Sequence, residues 1–478
     1  MSTPTHAPHT PASAPAPASA PTSAAPRGPR APHDLVAVGI GPFNLGLACL
    51  TDPLEDLDAV FLDAADGFAW HHGMMLDDAT IQVPFMADLV TMADPTSPFS
   101  FLAWLKETNR LYPFYIREDF HPLRSEYDAY CRWAAERLDT LRWGRTVTAV
   151  EHDEATDLFT VHADTDHGPE TYRARHVVIG VGTEPSVPAA LRDLPGPVIH
   201  SAEYVPNRDA LRSAGSIAVI GSGQSAAEVY RDLLEDVRAH GYELDWITRS
   251  PRFFPMEDTK LTLEMTSPEY TDHFHGLPED LRDRLGREQR GLYKGISADL
   301  VDDLYDALYR ISAAGPVPTS LRTETSVVDA TWLADRGTYR LTLRHEQLGE
   351  TYEHEVERLV LATGYAPRST RFLDPVEHLV ARDSRGRFAV ARDHHVDTIG
   401  GRIWVQNAEE HTHGVTAPDL GMGAWRNASI IRSVTGRPVH GLEDRIAFQE
   451  FGLPATRRSG APGAAPDRRG TERGAVRA

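Results

Sequence analysis

The chain is predicted to be an α/β protein with two Rossmann-like dinucleotide-binding domains and a smaller helical region. Two glycine-rich turns carry this prediction. Gly39-Ile40-Gly41-Pro42-Phe43-Asn44 follows the apolar run Leu35-Val36-Ala37-Val38, and Gly221-Ser222-Gly223-Gln224-Ser225-Ala226 follows Ile217-Ala218-Val219-Ile220. Each falls where a strand should hand over to a helix. Glycines there let the backbone curl tightly under a pyrophosphate, and the helix that follows offers free N–H groups and its positive dipole end. Two such turns point to two dinucleotides, a pairing that usually means a flavin reduced by a nicotinamide.

Residues 1–32 are dominated by Pro, Ala, Ser and Thr and read as a disordered tail, as does the Gly/Pro/Arg-rich segment 454–478. From Asp34 the pattern is strand, glycine turn, then helix over Leu45–Leu50. The next strand, Ala59–Leu62, ends in Asp63, the candidate partner of a ribose hydroxyl. The strand His176–Val181 runs into Gly182-Thr183-Glu184-Pro185, and Leu359–Ala362 runs into Thr363-Gly364-Tyr365. The second glycine turn opens between them. A nicotinamide domain over 211–355 is therefore expected inside a flavin domain made of 33–210 and 356–453. Within the insert, Arg249 follows the strand Leu244–Thr248 and is a candidate clamp for the 2′-phosphate of NADPH.

Lys plus Arg number 48 against 69 Asp plus Glu, a net charge of −21. That excess argues against nucleic acid or an anionic membrane as partner, and suits a cationic substrate. The two cysteines, Cys49 and Cys131, form no CxxC, which disfavours a zinc site, a disulfide framework and a redox pair. His394, His395 and His411–His413 lack metal-ligand spacing, so no metal is expected. No apolar run reaches 18 residues and no signal peptide is visible, so a cytoplasmic protein is expected.

Several motifs together resemble the flavin-dependent N-hydroxylating monooxygenases that act on lysine, ornithine and related amines in siderophore biosynthesis. They are Val38-Gly39-Ile40-Gly41-Pro42-Phe43-Asn44-Leu45, with Asn44 in place of a third glycine; Phe68-Ala69-Trp70-His71; Ile81-Gln82-Val83; and Asp88-Leu89-Val90 with Asp94-Pro95-Thr96-Ser97-Pro98-Phe99. Gly223-Gln224-Ser225-Ala226, Ala362-Thr363-Gly364-Tyr365 and Thr412-His413-Gly414 complete the set. The resemblance implies FAD and NADPH as cofactors and a homotetramer. It also implies the chemistry: NADPH reduces FAD, O2 adds to give a C4a-hydroperoxyflavin, and a neutral primary amine attacks it. Trp70 and His71 would wall the flavin, and Gln82 would sit against flavin or nicotinamide as a positioning residue. Gly364 and Tyr365 belong to the same cofactor-binding set. His413 and Gly414 would lie near the flavin, though a structural hydrogen-bonding role fits His413 equally. The substrate would bind in a helical region at about 256–313.

One position departs from the pattern. Lysine and ornithine enzymes of the family typically carry a lysine before Asp-Leu-Val, which the resemblance implies pairs with the substrate's carboxylate; here it is Ala87. Leu263-Glu264 and Leu292-Tyr293 also replace asparagine-containing pairs of the ornithine enzymes. A carboxylate-free amine is therefore expected, a linear diamine with cadaverine first and putrescine second. Glu257, Asp258 or Glu264 are candidates to anchor its far ammonium. The alternatives are an L-lysine N6-hydroxylase or L-ornithine N5-hydroxylase and, more remotely, a Baeyer–Villiger or sulfide flavin monooxygenase, or a flavin NADPH oxidase.

Overall fold

The computed structural model describes residues 31–453. Of the tails expected to be disordered, 1–32 and 454–478, all but residues 31 and 32 lie outside the described residues. The first strand, His33–Val38, pairs in parallel with Ala59–Leu62 on one side and Gly168–Ile179 on the other. Val36 and Ala37 are fully buried, which explains why this strand reads as a continuous apolar run rather than an alternating one. Gly168–Ile179 is long enough to serve two partners along one flank. Its first half pairs antiparallel with Leu158–Thr165, and its last residues pair in parallel with Ile403–Val405, from the far end of the chain.

The second sheet is all parallel, in the order Thr319–Arg322, Glu243–Ile247, Ser216–Ile220, Arg358–Leu361, Val198–His200. Alternate residues of its central strand face different layers. Ile217 and Val219 pack towards the helices Gln224–His240 and Ala298–Ser312. Ala218 and Ile220 pack towards Tyr339, Leu341 and Leu343 of an antiparallel three-stranded layer. Such two-sided cover is what a parallel sheet requires.

This pairing corrects one expectation. The sequence places the strand at 359–362 on the flavin side, yet Leu359 lies opposite Ala218 and Val360 opposite Val219. With Val198–His200 added, the second sheet draws strands from beyond both ends of 211–355. The connections between the two sheets run side by side, because Thr183–Pro185 pairs antiparallel with Tyr365–Pro367. The helical region expected near 256–313 is present as Lys260–Leu263, Pro268–His275, Glu279–Glu288 and Ala298–Ser312. No helix of the described residues is long and apolar enough to cross a membrane.

Candidate dinucleotide and amine sites

The first glycine turn has three distinct constraints. Gly39 has φ +90°, and a Cβ on it would lie 2.4 Å from the Gly180 carbonyl oxygen. Gly41 is the N-cap of the helix Pro42–Thr51, and no side chain caps that end. A Cβ on Gly41 would meet no protein atom within 4 Å. Uncapped N–H groups beside an open backbone are what a pyrophosphate needs, so the turn fits a dinucleotide. Pro42, at the first helical position, costs the helix no hydrogen bond. Asn44 is buried and binds the turn from behind. Its Nδ2 donates to the Gly39 carbonyl at 2.7 Å, and its Oδ1 accepts from Gln406 Nε2 at 2.6 Å. Asp63 accepts from the backbone N–H of Ile40 at 2.6 Å and of Ala65 at 2.8 Å, which places it at the mouth of the turn.

The second turn repeats the design. A Cβ on Gly221 would lie 2.2 Å from the Ala362 carbonyl oxygen, so close approach of the next strand demands glycine. Gly223 is the N-cap of the 17-residue helix Gln224–His240, again with no side-chain cap. Ser225 follows in its first turn. Gln224 bonds within the fold: its Nε2 donates to Glu228 at 3.0 Å and its Oε1 accepts from Ser297 N at 2.9 Å. Arg249 is exposed just past the neighbouring strand, where a 2′-phosphate could reach it.

Between the turns, the two halves of the molecule lock together. Arg124 forms a two-pronged pair with Glu228, at 2.7 and 2.9 Å, and also donates to the Met74 carbonyl at 2.6 Å. A Cβ on Gly73 would overlap the Ala202 carbonyl, which shows how tightly these segments meet. Trp70 packs its ring 5.0 Å from Tyr127, and His71 adopts a left-handed backbone at φ 49°. The His71 ring keeps contact with water but stands in a crowded crevice. Desolvation there, then the Arg124 charge, pulls its pKa down to about 4. Thr363 Oγ1 donates to the Ser186 carbonyl at 2.6 Å, and the Gly364 carbonyl accepts from Ser186 N and His200 Nε2. Tyr365 stands edge-on to His200 at 5.2 Å and remains 39% exposed, so its ring is open to a ligand. Gln82 is also exposed, on the segment leading to Ala87.

Ala87 is buried, and the next residue fixes its loop. The Asp88 carboxylate accepts from Val90 N, Thr91 N and Phe101 N at 2.6–2.9 Å. Other expected substrate residues are placed differently. Glu264 accepts backbone N–H bonds from Phe448 and Gln449, both at 3.0 Å, so it anchors the C-terminal segment. Leu263 is half-exposed, and Leu292 packs beside Tyr270 and Phe274. Glu257 and Asp258 are exposed.

His413 has the surroundings of the structural alternative. It is fully buried, its ring stacked 4.4 Å from His394, with Nε2 donating to the Arg392 carbonyl and Nδ1 2.9 Å from Thr412 Oγ1. Burial, then the neighbouring His394, holds its pKa well below the usual histidine value. It has no edge to offer a cofactor. Gly414 beside it is buried against the Phe274 ring. Sequence reading missed Gln406 and the Arg124–Glu228 pair. Those two partners lie 104 residues apart, and no local pattern joins them.

A family model described as L-lysine 6-monooxygenase/L-ornithine 5-monooxygenase matches residues 31–367. The chain belongs to this family. It is 45% identical over 421 residues to the putrescine N-hydroxylase of Shewanella oneidensis, covering 88% of this chain and 84% of that protein. It is 46% identical, with a TM-score of 0.87, to the FAD-bound cadaverine monooxygenase of the desferrioxamine pathway of Erwinia amylovora. That match covers 89% of this chain and all of the other. The ornithine N-hydroxylase of Kutzneria, solved with reduced FAD, NADP+ and L-ornithine, is 31% identical with a TM-score of 0.79, over 85% of this chain and 99% of that one. The family and the α/β fold expected from the sequence are both borne out.

Proposed function

We propose that this protein N-hydroxylates one primary amine of a linear diamine, cadaverine foremost and putrescine second, to build a hydroxamate siderophore. It is a flavin-dependent N-monooxygenase of its family, and the uncapped helix ends at Gly41 and Gly223 suit FAD and NADPH respectively. FAD, once reduced by NADPH, supplies the activated oxygen. The chain's own work is to bind, orient and dry the reactants. Gly41, Pro42 and Asp63 would hold the first dinucleotide; Gly221, Gly223, Ser225 and Arg249 the second. Trp70, His71 and Tyr365 would wall the reactive end. A free alkylamine has a pKa of ~10.4, so the attacking nitrogen must lose a proton. Removing water around the bound amine would lower its pKa by the same physical cause, desolvation, that depresses His71.

Ala87 carries the choice of substrate. A buried substrate carboxylate without a cation costs about 3–5 kcal/mol, which disfavours an amino acid by a few hundred-fold or more. Identities of 45–46% to a putrescine hydroxylase and a cadaverine monooxygenase, against 32% to an L-lysine N6-monooxygenase of Escherichia coli, support the same reading.

The test is hydroxylamine formation coupled to NADPH oxidation, with cadaverine, putrescine, lysine and ornithine side by side. Product from the diamines alone is expected, with cadaverine ahead. In Ala87→Lys, the like charge facing the far ammonium should lower kcat/KM for cadaverine ~10-fold or more. Product from lysine alone would overturn the diamine reading, and peroxide without hydroxylamine from all four would favour an oxidase.

A further inference from the structure

We infer that Asp419 binds the far ammonium of the diamine, the end that does not react; this rests on the diamine reading above. Ala87 and Asp419 are 332 residues apart in sequence but meet at Gly421. A Cβ placed on Gly421 would lie 3.8 Å from the Ala87 Cβ and 2.9 Å from Asp419 Oδ1. Glycine therefore keeps a gap between the two that any side chain would fill. Asp419 precedes the helix Gly423–Thr435, and its Oδ1 accepts from Met422 N at 2.9 Å.

Among the described residues no lysine, arginine or histidine forms an ion pair with Asp419. The nearby cation, Arg426, makes its closest charge contact with another carboxylate: it lies 3.0 Å from Glu409 and its Nη2 donates to the Thr416 and Ala417 carbonyls. Burial raises the Asp419 carboxyl above the usual range, and the backbone bonds from Met422 and Gly421 and the more distant Arg426 charge do not offset it. A substrate ammonium in the gap at Gly421 would supply a directly paired counter-ion. The polarity of this corner is thus the reverse of the one the resemblance implies for amino-acid hydroxylases. Where they are expected to set a lysine before a substrate carboxylate, this chain sets a carboxylate beside alanine.

The experiment compares cadaverine with n-pentylamine, which matches its length but lacks the second ammonium, using wild type, Asp419→Asn and Asp419→Glu as FAD-loaded enzymes. Asparagine keeps the oxygen that accepts from Met422 N, so the start of the helix is preserved. The preference for cadaverine over pentylamine should fall ~10- to 100-fold in Asp419→Asn, mainly through KM, as for a lost charge-assisted contact. Asp419→Glu, which retains the charge, should keep most of it. A wild type that prefers cadaverine beside an Asp419→Asn variant that keeps the preference, or loses both amines equally, would overturn the role of Asp419 alone. A wild type that hydroxylates lysine and not cadaverine would remove the diamine reading, and this assignment with it.

Discussion

Gly39 and Gly41 are two residues apart and answer to different demands. At Gly39 the protein itself forbids a side chain, through φ +90° and the Gly180 carbonyl 2.4 Å away. At Gly41, φ is −83° and the space is open, so only a bound pyrophosphate would object. Gly39→Ala should therefore cost folding. Gly41→Ala should leave the apoprotein's melting temperature within about 2 °C of wild type while weakening FAD ~10-fold or more. Thermal melts with a fluorescence titration of FAD separate the two, and wild-type FAD affinity in Gly41→Ala would sink the assignment. Both glycines were legible in the sequence because the turn is local. The work of Asn44 was not: its departure from a third glycine was visible, but its partner Gln406 lies 362 residues away.

At the level of elements, the helices Arg124–Ala135 and Gln224–His240 come from different halves of the molecule and are joined by Arg124 and Glu228. Both side chains are largely buried, at 11% and 6% exposure, so screening by water is weak. Arg124→Met would strand the Glu228 charge and should cost about 3–5 kcal/mol. The double variant Arg124→Met/Glu228→Leu should recover most of that loss, because an apolar pair of similar volume replaces a buried ion pair with little penalty. Urea unfolding of the four species tests this. A single variant within about 1 kcal/mol of wild type would mean the pair behaves like a surface one. Leu359–Ala362 shows the limit of reading elements from sequence. Its apolar run announced a strand, but which sheet received it depended on pairing with Ser216–Ile220.

Across the whole molecule, buried histidines set an acid limit. Burial lowers the pKa of His176, His200, His394, His411 and His413. In the unfolded chain these groups take up protons near pH ~6.5. As pH falls through that value the unfolded state binds protons that the folded state refuses, so stability falls from ~6.5 down to the lowered folded values. His395, raised by its bond to Asp393, works the other way and offsets part of the effect. The holoenzyme's melting temperature should drop between pH 7 and 5.5, before most carboxylates titrate. A flat profile over that window would contradict the burial of these rings.

The sequence by itself determined the two glycine turns, their strands and helices, the family and the alanine at position 87. These are features of neighbouring residues, where backbone preference and side-chain periodicity act over a few positions. Tertiary structure alone decided the rest. It moved 359–362 into the second sheet, buried His413 in a stack with His394, turned Glu264 to the C-terminal segment, and set Asp419 beside Ala87. Each is a contact between residues far apart in the chain. It exists because packing brings two surfaces together, and no local pattern of residues records which surfaces will meet.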